Sequence, residues 1–190
     1  MIKSESALVV CAYEFVKKVL KGVDSAHDFA HSQRVYKNAI KLLDDSVDRE
    51  TVLVCALLHD VADKKLFDDE HNLDEFFLLN PTAKECKIRL ILSEISFSAG
   101  KKCTSKESEI VQDADRLDAI GAIGIARAFS YGGAHNRAIY GDDAENSLAH
   151  FYQKLFKIKG MLNTQKAKEM ADERDKFMYK FIEQLRCEID

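Results

Sequence analysis

The residues of greatest chemical interest are His59 and Asp60, which directly follow the apolar run 52–58. A helix that is apolar nearly all round belongs in the middle of a core, so its end should carry this imidazole and this carboxylate into the interior. A buried carboxylate is costly unless it is paired or coordinates a metal. Both side chains can reach one ion near a helix end, although a His-Asp pair alone is a weak signal because it occurs often by chance.

Two further parts of the sequence offer ligands of the same kind. His27 and His31 are one turn apart on one helix face, and Asp115 stands beside apolar positions in an Ala-Asp-Arg-Leu segment. Imidazoles and carboxylates from three helices suit a divalent ion such as Mn²⁺, Fe²⁺, Zn²⁺ or Mg²⁺. Two neutral histidines and two aspartates would roughly balance the charge of that ion. Asp113 and Asp118 compete with Asp115 for the fourth position, and the Ala-Asp-Arg-Leu context favours Asp115.

The chain that must position these residues has 190 residues, enough for one substantial core and too few to require two domains. We therefore expect a single domain over residues 1–190. A content of 46% hydrophobic and 32% charged residues argues against disorder. The net charge of −4 argues against nucleic-acid binding driven by phosphate neutralisation. No apolar run approaches the roughly 20 residues of a membrane span, and the stretch 7–12 is too brief for a signal peptide, which favours a cytoplasmic protein.

The cysteines are dispersed, and none forms a Cys-x-x-Cys pair. An odd, scattered set predicts reduced thiols, mostly small core residues, and argues against a cysteine-based zinc site. The five are Cys11, Cys55, Cys86, Cys103 and Cys187.

Helical periodicity runs through almost the whole chain, and valine and threonine never gather into alternating runs. We therefore predict an all-α fold, a bundle of about seven to nine helices. The predicted helices cover 4–20, 25–43, 49–63, 71–79, 82–96, 105–130 with a break near Asp118, a segment from about 143, and 164–188.

Local signals predict where several of these helices start. Asp48 is placed to cap the third helix, Thr104 with Glu107 fits a capping box, and Asp142 with Glu145 fits another helix start. The pair Gly132-Gly133 predicts a loop.

Four segments of the chain resemble one known family. The order His31…His59-Asp60…Asp115 resembles the H…HD…D signature of the HD-domain metal-dependent phosphohydrolases. The surrounding segments 27–35, 57–64, 112–122 and 150–155 are similar to the small, single-domain bacterial members of the YpgQ/YedJ kind. The resemblance extends over nearly the whole chain. It points to the superfamily through the ligand order and to the subgroup through the longer segments.

The resemblance implies that His31, His59, Asp60 and Asp115 bind one divalent metal ion, with Mn²⁺ favoured and Mg²⁺, Fe²⁺, Zn²⁺ or Ni²⁺ as alternatives. Dinuclear members carry additional histidines after the HD pair. Here His71 lies in a charged run, and Glu94 stands near the position where such a histidine would be sought, which favours a single ion.

The implied reaction is the hydrolysis of a nucleoside triphosphate, ribo- or deoxyribo-, to the monophosphate and pyrophosphate by a metal-activated water. Asp60 would orient that water, and Asp63 and Glu94 are the candidates for proton transfer. A polyphosphate also needs cations or hydrogen-bond donors. Lys64 is the first choice, followed by His27; the other candidates are Arg34, Lys101, Lys102, Arg127 and Arg137.

Several alternatives stay open at this point. A phosphatase or phosphodiesterase acting on a monophosphate, a cyclic nucleotide or an alarmone would use the same ligands, and so would a nucleotide-binding module without turnover. His27-Asp28-x-x-His31 also resembles the His-Glu-x-x-His motif of zinc peptidases, but that assignment leaves His59 and Asp60 without a role. The partners expected are a small phosphorylated molecule and no nucleic acid or membrane, in a monomer or homodimer.

Overall fold

The computed structural model describes residues 2–22, 28–61, 71–95, 102–141 and 145–189, and these residues are helical with no strand among them. This confirms the predicted all-α fold class. The chain forms two compact units, Met1–Asp115 and Arg116–Asp190. The single domain expected from chain length therefore stays a prediction. None of the helices in the described ranges is long and apolar enough to cross a membrane.

The first unit is built around one helix that is buried on every side. Helix α3 has eight consecutive buried residues at positions 51–58, and it packs against α1, α2 and α5. Asp48 caps α3 by accepting a hydrogen bond from the Thr51 amide at 3.4 Å, as predicted. The helices of this unit are α1 (Ala7–Val19), α2 (Phe29–Leu42), α3 (Arg49–Leu58), α4 (His71–Leu79), α5 (Glu85–Ile95) and α6 (Lys106–Asp118), preceded by a 3-10 helix, Ile2–Ser4.

The second unit centres on the long C-terminal helix. Helix α9 packs against α7 and against the 3-10 helix Leu155–Met161. Its buried positions Ala167, Ala171, Met178 and Ile182 follow the helical period. The Arg174 guanidinium of α9 donates to the Leu117 carbonyl. Besides the last turn of α6, this unit contains α7 (Gly121–Ala134), α8 (Ser147–Gln153) and α9 (Gln165–Ile189).

One helix start differs from the prediction because the side chains expected to cap it form hydrogen bonds with residues elsewhere in the fold. Ser105, rather than Thr104, caps α6, because its hydroxyl accepts from the Ser108 amide at 3.1 Å. The Thr104 hydroxyl instead donates to Glu94, and Glu107 accepts from the Lys87 ammonium. The predicted capping box is therefore wrong.

Other predicted boundaries also shift. Helix α8 begins at Ser147, capped by Asn146, rather than near 143, and Asp142 lies outside the described residues. Helix α2 begins at Phe29, and the predicted start near Ser25 lies outside the described residues, as does the stretch 62–63 at the predicted end of α3. The break near Asp118 is confirmed, since α6 ends there and α7 begins at Gly121.

The prediction for Gly132-Gly133 was wrong, because both residues lie in the last turns of α7. A Cβ atom at Gly132 would collide with the Ser147 hydroxyl, so close packing against α8, not a loop, requires this glycine. Gly121, in contrast, requires the conformational freedom of a glycine, because its φ is +79°. The cysteines are free thiols, as predicted, but the expectation that most of them lie in the core was wrong, since Cys11, Cys86 and Cys187 are exposed and Cys55 is buried.

Candidate metal centre

Helix α2 presents the first imidazole from its N-terminal turn. Asp28 caps the helix, its carboxylate accepting a hydrogen bond from the His31 amide at 2.8 Å. The first backbone N–H groups of a helix have no partner within the helix. This bond pairs one of them and fixes the backbone of His31. The His31 side chain is only 1% exposed, so its ring is held in the interior of the first unit.

The second imidazole and the first carboxylate stand at the end of α3. His59 is the C-terminal cap of this helix, and its Nδ1 lies 3.0 Å from the carbonyl oxygen of Ala56. A carbonyl can only accept, so Nδ1 carries a proton, and in the neutral ring Nε2 keeps its lone pair for a ligand. A backbone partner of this kind is what orients metal-binding histidines. Asp60 follows directly and is 5% exposed.

Helix α6 supplies the second carboxylate, Asp115. The buried Asn38 side chain of α2 donates to the Ala114 carbonyl oxygen at 3.0 Å. This bond links the helix that carries His31 to the helix that carries Asp115. The Asp115 side chain is 28% exposed, so the cluster has one side that a water or a substrate can approach.

Three of these side chains meet at one point, and the fourth, Asp60, lies beside the two imidazoles. The Nε2 atoms of His31 and His59 are 3.1 Å apart, and Oδ1 of Asp115 lies 3.4 Å from the first and 3.8 Å from the second. The two oxygens of Asp60 divide between the rings, with Oδ2 3.4 Å from His31 Nε2 and Oδ1 3.4 Å from His59 Nε2. We call these four residues the His–Asp cluster.

These distances fit a shared cation. Two ligand atoms that each lie about 2.1 Å from an ion are about 3.0 Å apart at a right angle and about 3.4 Å apart at a tetrahedral angle. Without a cation, two buried imidazole nitrogens would face each other at hydrogen-bond distance, and at least one would need a proton. Two neutral nitrogens and two carboxylate oxygens form a donor set that divalent metals accept, so the residues present fit the ion.

The two imidazoles also set the pKa of Asp115 when no ion is bound. Burial is the largest influence and raises this pKa, but the hydrogen bond with His31 and the charges that His59 and His31 carry when protonated together outweigh burial and lower it. The net result is a pKa below the usual value. Asp115 therefore stays ionised at neutral pH and is available as an anionic ligand.

The remaining predicted ligands do not join the cluster. Among the described residues, the group whose ligand atoms all lie within 4.8 Å of one another consists of His31, His59 and Asp115. Asp118 is engaged elsewhere, accepting from Arg127 Nη1 at 2.8 Å within the second unit. Asp113 is fully buried on α6.

Of the predicted proton-transfer and phosphate-binding residues, some are placed and others are not. Glu94 is buried, and its two carboxylate oxygens accept from the Thr104 amide at 3.1 Å and the Thr104 hydroxyl at 2.6 Å. Arg34 is half-buried on α2, and Arg127 is paired with Asp118. The predicted residues His27, Asp63, Lys64 and Lys101 lie outside the described residues, so their roles stay predictions.

Sequence reasoning did not identify the groups that hold the ligands in place. Asp28 as the cap of α2 was detectable, because an aspartate before a periodic apolar segment is a standard helix start. The bond from Asn38 to Ala114 and the bond from His59 to Ala56 had no sequence signal. Both depend on which backbone carbonyl a polar side chain meets after the helices pack.

Comparison with known proteins agrees with the geometry. The family model described as HD domain matches residues 28–120, an interval that contains the whole His–Asp cluster. The chain is 39% identical over 186 residues to the protein YpgQ of Bacillus subtilis (strain 168), covering 92% of this chain and 90% of YpgQ.

Solved structures give the same result. The crystal structure of Bacillus subtilis YpgQ in complex with ADP matches with a TM-score of 0.82 and 34% identity, covering 95% of this chain and 94% of that one. The crystal structure of an HD-superfamily hydrolase from Bacillus thuringiensis matches with a TM-score of 0.79 and 38% identity, covering 95% of each chain.

Proposed function

This chain belongs to the HD-domain family, and from that premise we propose that the His–Asp cluster binds one divalent metal ion and serves a phosphohydrolase. The proposed reaction is the hydrolysis of a nucleoside or deoxynucleoside triphosphate to the monophosphate and pyrophosphate. The observation that carries the proposal is the 3.1 Å approach of the His31 and His59 Nε2 atoms, with a carboxylate oxygen within 3.4 Å of each nitrogen.

Mn²⁺ is the proposed ion, because mixed imidazole and carboxylate ligation suits it, although Mg²⁺, Fe²⁺, Zn²⁺ and Ni²⁺ are compatible with the same donors. When bound, such an ion lowers the pKa of a coordinated water and polarises a phosphoryl oxygen. His31, His59, Asp60 and Asp115 are the proposed ligands. The carboxylates of the two aspartates balance the charge of the ion.

The residues of the chain have separate tasks in this proposal. Asp60 accepts a hydrogen bond from the attacking water and so orients it. Asp63 and Glu94 are the proposed proton-transfer groups. The carboxylate of Glu94 is already held in one orientation by two hydrogen bonds from Thr104. Such a carboxylate accepts a proton only at the cost of those bonds, so we rank Asp63 first.

Phosphate recognition requires positive charge on the substrate side. Lys64, His27, Arg34, Lys101 and Arg127 are the proposed contacts, as predicted from the sequence. The water oxygen bonds to the α-phosphorus, the bond from that phosphorus to the bridging oxygen breaks, and pyrophosphate leaves. That YpgQ was crystallised with ADP supports a nucleotide as the substrate of this related chain.

A chromatographic product assay tests the proposal. Purified full-length protein is incubated with a panel of ribo- and deoxyribonucleotides in Mn²⁺, Mg²⁺ or EDTA, in water enriched in ¹⁸O. We expect monophosphate and pyrophosphate with metal, no turnover in EDTA, and the label in the monophosphate, because water attacks the α-phosphorus. Inorganic phosphate as the only product would replace this reaction with a monophosphatase. Absence of turnover with any ion would leave a nucleotide-binding module.

A matched pair of histidine variants tests the single-ion assignment. His59→Ala removes a proposed ligand, whereas His71→Ala removes an exposed histidine at the start of α4. We expect only the first variant to lose metal, measured as bound Mn²⁺ per chain after gel filtration. Loss of metal from the His71→Ala variant would instead indicate a second ion.

A further inference from the structure

The C-terminal end of α7 folds an arginine back onto its own helix. Asn136 has φ 54°, the left-handed conformation that commonly ends helices. The Arg137 amide then donates to the Gly132 carbonyl at 2.8 Å. This motif returns the chain over the last turn of α7, and the Arg137 guanidinium comes to lie 5.3 Å from the centre of the Tyr131 ring.

Arg137 is held in this position by more than one contact. Its Nη2 lies 3.4 Å from a carboxylate oxygen of Glu145. The Tyr131 ring is itself stacked on His135, with ring centres 3.9 Å apart and an interplanar angle of 21°. A cation–π contact and an ion pair together restrain a long side chain that would otherwise lose entropy on binding a ligand.

Two further nitrogen groups share this region of the second unit. His150 is half-buried on α8, and Lys154 follows one turn later. Burial is the largest influence lowering the pKa of His150, and the positive charges of Lys154 and Arg137 lower it further, while Glu145 acts in the opposite direction. The Ser147 amide at the start of α8 donates to the Ala138 carbonyl at 2.9 Å, so the segment that follows Arg137 is fixed to the helix that carries His150 and Lys154.

We propose that Arg137, His150 and Lys154 form a binding site for a phosphate-bearing anion, with Tyr131 and Glu145 positioning Arg137. A guanidinium offers two parallel N–H donors that match phosphate oxygens. A bound anion offsets the repulsion between Arg137 and Lys154. It also allows His150 to be protonated, so that the ring N–H donates a third hydrogen bond to the anion. The shared chemistry is a phosphate or diphosphate group, whether free or part of a nucleotide. All these residues lie in the second unit, and the site requires no metal.

The second unit also contains a natural control. Arg186 lies 5.4 Å from the centre of the Tyr152 ring, nearly the geometry of Arg137 and Tyr131. No carboxylate pairs with Arg186 among the residues described. Arg186→Gln therefore removes the same charge and the same type of aromatic contact without touching the proposed site.

Isothermal titration of the full chain in EDTA with pyrophosphate, ADP and adenosine tests the proposal. We expect saturable binding of pyrophosphate and ADP, weakened about tenfold or more by Arg137→Gln because a charge-assisted bidentate contact is lost. Arg137→Lys should bind with intermediate affinity, and Arg186→Gln should match the unmodified protein. Equal losses in Arg137→Gln and Arg186→Gln, or no saturable binding, would overturn the site. Arg137-dependent binding of ADP without pyrophosphate would support the site and assign it to nucleotides.

An NMR titration of the histidine rings provides a second readout, which requires no variants. Bound pyrophosphate should raise the pKa of His150, because the anion offsets the charges of Lys154 and Arg137. The ring resonances of exposed His71 should move little when pyrophosphate is added. An unchanged His150 pKa at saturating pyrophosphate would exclude this histidine from the site.

Discussion

Each of the two units carries a side-chain carboxylate whose environment shifts its pKa, and the two shifts are opposite. In the first unit, Asp115 faces two imidazoles, and its pKa lies below the usual value. In the second unit, Asp175 is 8% exposed, and its pKa is raised, with burial as the largest cause. Its Oδ1 has no hydrogen-bond partner among the described residues. Burial raises the pKa of both carboxylates, so the neighbouring groups decide whether the net shift is upward or downward.

The two carboxylates differ in what surrounds them. Asp175 lies on the buried face of α9 near Ala171 and Met178. The charge of Lys159 lowers its pKa and that of Asp172 raises it, so little compensates for burial. Desolvation of a carboxylate therefore gives no indication of chemistry by itself. A carboxylate that lies beside imidazole nitrogens does indicate chemistry, because these groups together offer ligands to a cation.

The largest effect is expected from removing one ligand of the His–Asp cluster. His59→Ala should lower nucleotide hydrolysis by about a thousandfold or more, since a metal contributes several kcal/mol to the transition state. Helical content should change little, because His59 follows the end of α3. Steady-state kinetics and circular dichroism measure both. Full activity in this variant would contradict the metal assignment.

Metal removal should have the next largest effect. An ion that binds only the folded chain raises the free energy of unfolding by about 2.7 kcal/mol at a hundredfold excess over Kd. For a chain of this size, that corresponds to a Tm about 5–10 °C higher. Thermal melts with Mn²⁺ and with EDTA measure the difference. The His59→Ala variant is the control and should melt at the same temperature in both; a metal-dependent Tm in that variant would place the ion elsewhere.

Asp175→Asn should stabilise the protein at pH 7 by on the order of 1 kcal/mol, because a neutral amide costs less to bury than a carboxylate. The folded chain raises the pKa of Asp175, so protonation favours the folded state. The advantage of the variant should therefore vanish below about pH 4, where the unfolded aspartate is also protonated. It should grow as the pH rises through the folded pKa and be constant above it.

Urea unfolding between pH 3 and pH 8 measures this dependence. Glu173→Gln is the matched control, since Glu173 is exposed on the same helix, and it should not gain stability at pH 7. A stability advantage of Asp175→Asn that was independent of pH would mean that the carboxylate charge is not the cause.

The smallest effect on the free energy of unfolding is expected from Glu5→Gln in the first unit. Its pH dependence is opposite to that of Asp175→Asn. The hydrogen bond from Arg49 is the largest cause that lowers the pKa of Glu5, and burial opposes it. Glu5→Gln should therefore destabilise the protein by about 0.5–1 kcal/mol at pH 7. The loss should shrink as the pH falls through the lowered folded pKa. Exposed Glu14→Gln is the control in the same urea series, and a Glu5→Gln loss no larger than that of Glu14→Gln at pH 7 would exclude the ion pair.

Local rules predicted much of the fold but failed where side chains found distant partners. Asp48 caps α3 as predicted, because a cap needs only the backbone of its own first turn. Thr104 and Glu107 do not form a box, because their side chains bond Glu94 and Lys87. Capping signals are reliable only when nothing else in the fold competes for the oxygen atoms.

For the His–Asp cluster, too, some features could be predicted from the sequence and others could not. The four residue types, their order and their link to an apolar helix could be predicted from sequence. The orientation of the His59 ring could not be, because it depends on the Ala56 carbonyl. Nor could the role of Asn38, whose amide meets the backbone of α6 only after α2 has packed.

The sequence by itself therefore determined the helices, the fully apolar α3 and the kinds of ligand placed near its end. These features follow from the helical period and from residue chemistry, which are local. Only the tertiary structure decided that the two imidazole nitrogens approach to 3.1 Å, and that the pKa of Asp115 falls while that of Asp175 rises. Those outcomes depend on distances between helices and on exclusion of water, and both arise from long-range packing that no short segment encodes.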